Sequence, residues 1–276
     1  MPVFDHLLRV VREPMHIRYI FSRILDKYYY RPKFLLGSNK RRAAFICGCG
    51  HSGTTLLATM FAEHPLVHVP LYETQAFLPP RRWKRLVDIE KLATRRGKLM
   101  FIEKTPRHLH EMDRIRRLVP NARFVLMVRD GRDVAASIAK RFGDVNVGVT
   151  RWLTDNRVVA REMNNPDVVL LRYEDLIEDA ERELRRVCIF LKLEYIHQLL
   201  EYHRAEHLWE KETQLRKGNG TGGSEHAALR TWQVNQPLFD GRGRWKTELT
   251  DEIITEFTHG RCRELMATFG YLDRNS

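Results

Sequence analysis

Residues 43–47 form an unbroken apolar run that ends at Gly48. A run of that length closed by a glycine predicts a strand buried on both faces, as in a parallel sheet. Just beyond it the period changes. Leu56, Leu57, Met60 and Phe61 recur every three or four positions, which predicts a helix starting near Thr54. The alternation then repeats. Residues 99–102 read as a strand, and Leu109, Met112, Ile115 and Leu118 mark one face of a helix that stops at Pro120, with Thr105 as N-cap and Pro106 at the first helical position. Residues 124–128 are a third apolar run, followed by a helix carrying Ala135, Ala136, Ile138 and Ala139 after Gly131 turns the chain. Residues 168–171 lead through RYEDL into a helix over 181–191. Strand, turn and helix in repetition predict an α/β fold, a parallel sheet with helices on both faces in three layers. Later the pattern becomes irregular. RKGNGTGG (216–223) and FDGRGRWKTEL (239–249) are glycine-rich stretches, and a last helix is predicted over 251–269.

Length and charge narrow the picture. The 276 residues suit one domain, with its motifs between 43 and 246 and a basic helical extension over 1–40. No apolar run approaches a membrane span, and Asp5, Arg9, Arg12, Glu13 and Pro14 break the opening segment, so a cytoplasmic protein is expected. Cys47, Cys49, Cys188 and Cys262 form no disulfide or metal framework and are expected to be reduced and buried. The formal charge of +12 is spread in short clusters such as Arg81–Arg82–Trp83–Lys84–Arg85. It favours an anionic partner without choosing among nucleic acid, acidic polysaccharide, a membrane surface and a charged nucleotide.

The chemistry lies at the predicted strand ends. GCGHSGTT places Gly48, Gly53 and Thr55 at the spacing of a phosphate-binding loop, with Thr54 in the slot where nucleoside triphosphate enzymes carry lysine. A glycine turn that opens a helix presents free N–H groups and a positive dipole end to an anion. Lys104 ends the next strand, at the edge where ligands of parallel sheets bind. Arg129 ends the third strand, and Ser137 follows eight residues later. That arginine either receives a phosphate or ties its turn to Asp130 or Asp133. A phosphate-loop kinase or hydrolase shares the strand, loop and helix, but Thr54 and the lack of an aspartate at an apolar strand end count against it. A basic nucleic-acid-binding protein accounts for the charge and not for the ordered strand-end motifs, and no nucleic-acid partner is expected.

Taken together, GCGHSGTTLL, EKTP, VRDGRDVAAS, LLRYEDL and GRGRWK resemble, in order, the motifs of sulfotransferases that use 3′-phosphoadenosine 5′-phosphosulfate (PAPS), in the branch of tyrosylprotein and carbohydrate sulfotransferases. The resemblance implies the sulfotransferase version of the phosphate-loop α/β fold, PAPS as sulfuryl donor and no metal. It implies that Gly50, His51, Ser52, Gly53, Thr54 and Thr55 hold the 5′-phosphosulfate, and that Arg129 and Ser137 hold the 3′-phosphate. Tyr173 is expected against the adenine or its loop, and Arg242 and Gly243 over the 3′-phosphate. Lys104 is expected at the sulfuryl group. His51 stands where the family usually carries Lys or Arg, so its protonated form is expected to assist there. YETQAF resembles the segment whose glutamate is the base in tyrosylprotein sulfotransferases, which makes Glu73 the expected base, its pKa raised by burial, with His108 in reserve. Segments 74–98 and 195–235 are expected to shape the acceptor pocket. A sugar or small metabolite is the expected acceptor, and contact with a membrane surface stays open.

Overall fold

A computed structural model describes residues 42–80, 82–210, 212–221 and 223–273, with 24–25 and 28–29 before them. The extension expected over 1–40 falls almost wholly outside the described residues. The strands are β1 (Arg42–Gly48), β2 (Val67–His68), β3 (Met100–Lys104), β4 (Arg123–Val128) and β5 (Val168–Arg172). They form one parallel sheet in the order β2-β3-β1-β4-β5. Around it lie α1 (Thr54–Ala62), α2 (Trp83–Arg95), α3 (Met112–Leu118), α4 (Gly131–Phe142), α5 (Val145–Glu162), α6 (Tyr173–Glu178), α7 (Ala180–Leu191), α8 (Ser224–Val234), α9 (Trp245–Glu248), α10 (Asp251–Thr258) and α11 (Arg263–Thr268).

The apolar runs are explained by two cores. Ala43, Phe45 and Cys47 of β1 face one core, shared with α2 to α5, α10 and α11, while Ala44 and Ile46 face the other, shared with α1 and α7. With both faces covered, positions 43–47 are all apolar, so no polar alternation survives. The four cysteines are buried free thiols. Among the described residues, no helix is long and apolar enough to cross a membrane.

Three local expectations are corrected. Thr105 does not cap a helix: its hydroxyl donates to Glu103 Oε1 at 2.6 Å, and a 3₁₀ turn over Pro106–Glu111 precedes α3. Gly131 is needed for close packing, because a Cβ there would strike the rings of Phe257 and Trp152. The last helix is two, α10 and α11, since both His259 N and Gly260 N close on Thr255 O. The break brings Phe257 and Cys262, five apart and on different faces of a continuous helix, into one core.

β1 is central, with β3 on one side and β4 on the other, so the winding reverses there. The crevice beyond the strand ends at such a reversal is where open α/β sheets bind ligands.

Candidate functional site

That crevice holds a cavity of about 880 Å³. Its floor is the turn between β1 and α1, with Gly50, His51, Gly53, Thr54 and Thr55 on the wall. Gly53 has φ 88, and a Cβ there would lie 2.8 Å from the Tyr173 ring. Gly53→Ala is therefore expected to cost about 1–3 kcal/mol, the range for a non-glycine residue forced into the left-handed region. A lower thermal unfolding midpoint and weaker nucleotide binding would show it.

The loop and the Arg129 motif meet. Arg129 Nη1 donates to His51 O at 3.2 Å, and Ser137 Oγ lies 2.8 Å from His51 Nδ1. His51 thus bridges the two expected anion cradles, which form one continuous surface. Arg129 lies 4.3 Å over the Tyr173 ring, and its Nη2 donates to Gly241 O at 2.5 Å. It binds its surroundings chiefly through backbone carbonyls, with Asp133 Oδ2 at 3.9 Å. Asp133 in turn accepts Gly243 N at 2.9 Å and Trp245 N at 3.1 Å, which pins the 239–249 segment beside α4. Ser52 Oγ, His51 Nε2 and Arg129 Nε are buried with no protein partner. Buried polar atoms are normally bonded, so these orphans in a glycine-lined anion cradle fit a bound phosphate or sulfate group.

Several expected roles change. Arg242 turns away to a bidentate pair with Asp240, at 2.8 Å, and Gly243 N is taken by Asp133; Gly241 and Arg244 line the cavity in their place. His108 is excluded as a base because it is fully buried, bonded through Nδ1 to Glu103 Oε2 at 2.8 Å and accepting Phe77 N at Nε2. Its role is to fix the 74–77 segment. The surroundings of His51 work against the charged form expected of it. Burial, then His226, Arg230, Arg141 and Arg151, pushes its pKa well below the ordinary value.

His226 is pushed down to about 4, by burial and then by Arg230 and Arg141. Both imidazoles bind protons more readily in the unfolded chain, so the sign is fixed: stability is full above about 6.5, the unfolded value, and falls as pH drops toward 4. The urea midpoint is expected to decline over that window, and His226→Gln should flatten the decline.

On the other side of the cavity Glu73 lines the wall while Lys104 is fully buried behind it. Lys104 Nζ donates to Glu73 Oε1 at 2.9 Å, and Arg230 Nη1 reaches the same oxygen at 3.4 Å. Burial pushes the Glu73 carboxyl up, as expected, but Lys104 and Arg230 outweigh it and leave the pKa below its ordinary value. Burial likewise lowers the Lys104 ammonium, with Glu73 opposing. Arg230, from α8, lies in the 195–235 segment expected at the acceptor pocket without having been singled out there, and Arg151 from α5, whose guanidinium packs on Gly50, fell in no expected segment. Both helices are amphipathic, so an inward arginine looks there like any surface charge. Residues 75, 78 and 79, with many between 202 and 234, line the same cavity. Among the described residues no group of three or more metal-ligating side chains converges.

The fold and this strand-end crevice define a sulfotransferase-type α/β protein. The family model for the sulfotransferase family matches residues 88–197. A Caenorhabditis briggsae protein bearing a protein-tyrosine sulfotransferase name is 27% identical over 198 residues, 60% of this chain and 71% of that protein. Protein-tyrosine sulfotransferase A of Caenorhabditis elegans is 23% identical over 198 residues, covering 58% of this chain and 52% of its own length. In structure, the sulfotransferase domain of the Synechococcus PCC 7002 olefin synthase superposes with a TM-score of 0.61 at 20% identity, over 85% of this chain and 96% of that one. A mouse sulfotransferase complexed with PAP superposes with a TM-score of 0.51 at 14% identity, over 88% and 95%. Over residues 88–197 the chain matches the sulfotransferase family model, and it is similar to enzymes of sulfuryl transfer.

Proposed function

We propose that this enzyme moves the sulfuryl group of PAPS to the phenolic hydroxyl of a protein tyrosine. The observation that carries the donor half is the contiguous double cradle, joined through His51 to Arg129 and Ser137. PAPS supplies an activated sulfuryl group, whose bond to the phosphate oxygen breaks as a bond to the acceptor oxygen forms. The backbone of 50–55 and the hydroxyls of Ser52, Thr54 and Thr55 hold the phosphosulfate end. Arg129 and Ser137 hold the 3′-phosphate, with Tyr173 against the nucleotide. Glu73 accepts the acceptor's proton, and the Lys104 ammonium beside it stabilises negative charge on the departing side.

The acceptor half rests on Glu73. A carboxylate held below its ordinary pKa by Lys104 and Arg230 is a weak base. A phenol, with a pKa of about 10, yields its proton to such a base far more readily than a sugar hydroxyl does. The names of the two Caenorhabditis relatives point the same way, and this choice replaces the sugar or small metabolite expected from sequence. Mass spectrometry decides: with PAPS, a tyrosine peptide should gain one SO3 while its phenylalanine counterpart, an oligosaccharide and a hydroxylated lipid do not. Transfer to the sugar alone would overturn the acceptor, and transfer to none would overturn the donor as well.

Arg129→Ala is expected to weaken binding of adenosine 3′,5′-bisphosphate by about 1.5–3 kcal/mol, the range for a hydrogen bond to a charged group. Calorimetry reads this directly, and unchanged affinity would remove Arg129 from the nucleotide site.

A further inference from the structure

Trp209 belongs to none of the sequence motifs, yet it is fully buried where the anion-loop helix, Lys104 and the Glu73 segment meet. Its indole N–H donates to Thr59 Oγ1 at 3.0 Å, and that hydroxyl donates to Thr55 O at 2.9 Å, one turn earlier in α1. Its ring face lies 4.6 Å from Lys104 Nζ. The next residue continues the brace: Glu210 Oε1 accepts Glu73 N at 3.2 Å, and Glu210 N donates to Leu71 O at 3.0 Å.

A fully buried ammonium carries three donors and loses its hydration, so its charge must be met by what surrounds it. Here Glu73 Oε1 takes one donor, and the indole face covers the ammonium as well. Tryptophan presents the most attractive ring face to a cation, and the attraction grows where water is excluded. A leucine would leave part of that space empty and could not meet the charge.

We propose that Trp209 is a positioning residue of the sulfuryl-transfer site: its ring seats the Lys104 ammonium, and its N–H locks that seat to the helix of the anion loop through Thr59. The proposal rests on the sulfuryl-transfer function argued above. Two groups that must act on one transferred unit, the loop and the lysine, are thereby held in a fixed relation by a single side chain. The other charges facing Lys104 are Glu73 and Glu210, which favour its charged form, and Arg230, which opposes it.

The test keeps the N–H and nearly the whole shape while it depletes the ring's negative face. Tryptophans with one, two, three and four ring fluorines are placed at position 209 alone in the full chain, with Trp209→Leu alongside. Lysine labelled with 13C at Cε reports the titration of Lys104, and turnover is followed with PAPS and the tyrosine peptide. The expected result is a titration midpoint that falls with each fluorine, and turnover that falls in the same order by two- to tenfold across the series. The thermal midpoint and bisphosphate affinity should stay level. A flat titration overturns the ring–ammonium contact whatever the activity does, and a shifted titration with level turnover overturns the role in the reaction. If Trp209→Leu is inactive while the fluorinated series is level, the ring only fills space and the proposal fails. A wild type inactive on every acceptor sinks the sulfuryl-transfer reading and the role with it, whereas the titration still decides the contact.

Discussion

Lys104→Met is expected to lower kcat by about 10²–10³-fold, the usual cost of removing one group aimed at developing charge. Bisphosphate affinity should change only a few-fold, because the bisphosphate lacks the sulfuryl group that Lys104 serves and the methionine keeps the side chain buried. The loss should carry a second signature. Lys104 is the foremost of the charges that lower the Glu73 pKa, so without it the Glu73 carboxyl titrates higher. A base must be ionised to act, and the acid limb of the rate profile should therefore move to higher pH. Lys104→Arg should fail to rescue, since a planar guanidinium cannot take the place of a compact ammonium between Trp209 and Glu73. Steady-state kinetics at saturating donor across pH checks all three points. A kcat within threefold of wild type would remove Lys104 from the reaction.

Glu73→Gln is expected to lower kcat by about 10²–10⁴-fold, the typical contribution of a positioned general base. The amide keeps the shape but cannot take a proton. It also leaves Lys104 buried without its carboxylate, so stability should fall as well. Breaking a fully buried pair costs roughly 3–5 kcal/mol. The penalty here should lie below that, because Glu73 keeps 21% of its side chain exposed and the indole still faces the ammonium. A double-mutant cycle separates the effects: Glu73→Gln with Lys104→Met should be more stable than Glu73→Gln alone, since the unpaired charge is gone. Turnover of the double variant should match the worse single variant instead of the product of both losses. Full additivity would mean that the two groups act apart.

Much of this protein was legible in its residues. The four longer strands fall on the apolar runs because their central positions are covered on both faces, and the buried charges of β3, Glu103 and Lys104, stand only at its end. The loop, Arg129 and Ser137 were visible because anion binding at strand ends is made of local, short-range features: a glycine turn, a helix start, an arginine at a fixed offset. β2, only two residues long, left no such trace, and neither did the interruption between α10 and α11, which exists to satisfy a distant core.

The amino-acid sequence by itself determined the parallel α/β architecture, the two anion-binding segments and the family they resemble. Only the tertiary structure decided how those segments work together. It joined the two cradles through His51, turned Arg242 outward, committed His108 to the core, and surrounded the Glu73–Lys104 pair with Arg230 and Trp209. The reason is physical. Backbone preference and apolar period act over a few residues and can be read along the chain. Charge state and reach depend on groups that are neighbours only in space, such as residues 104 and 209, and arise when folding removes the water between them.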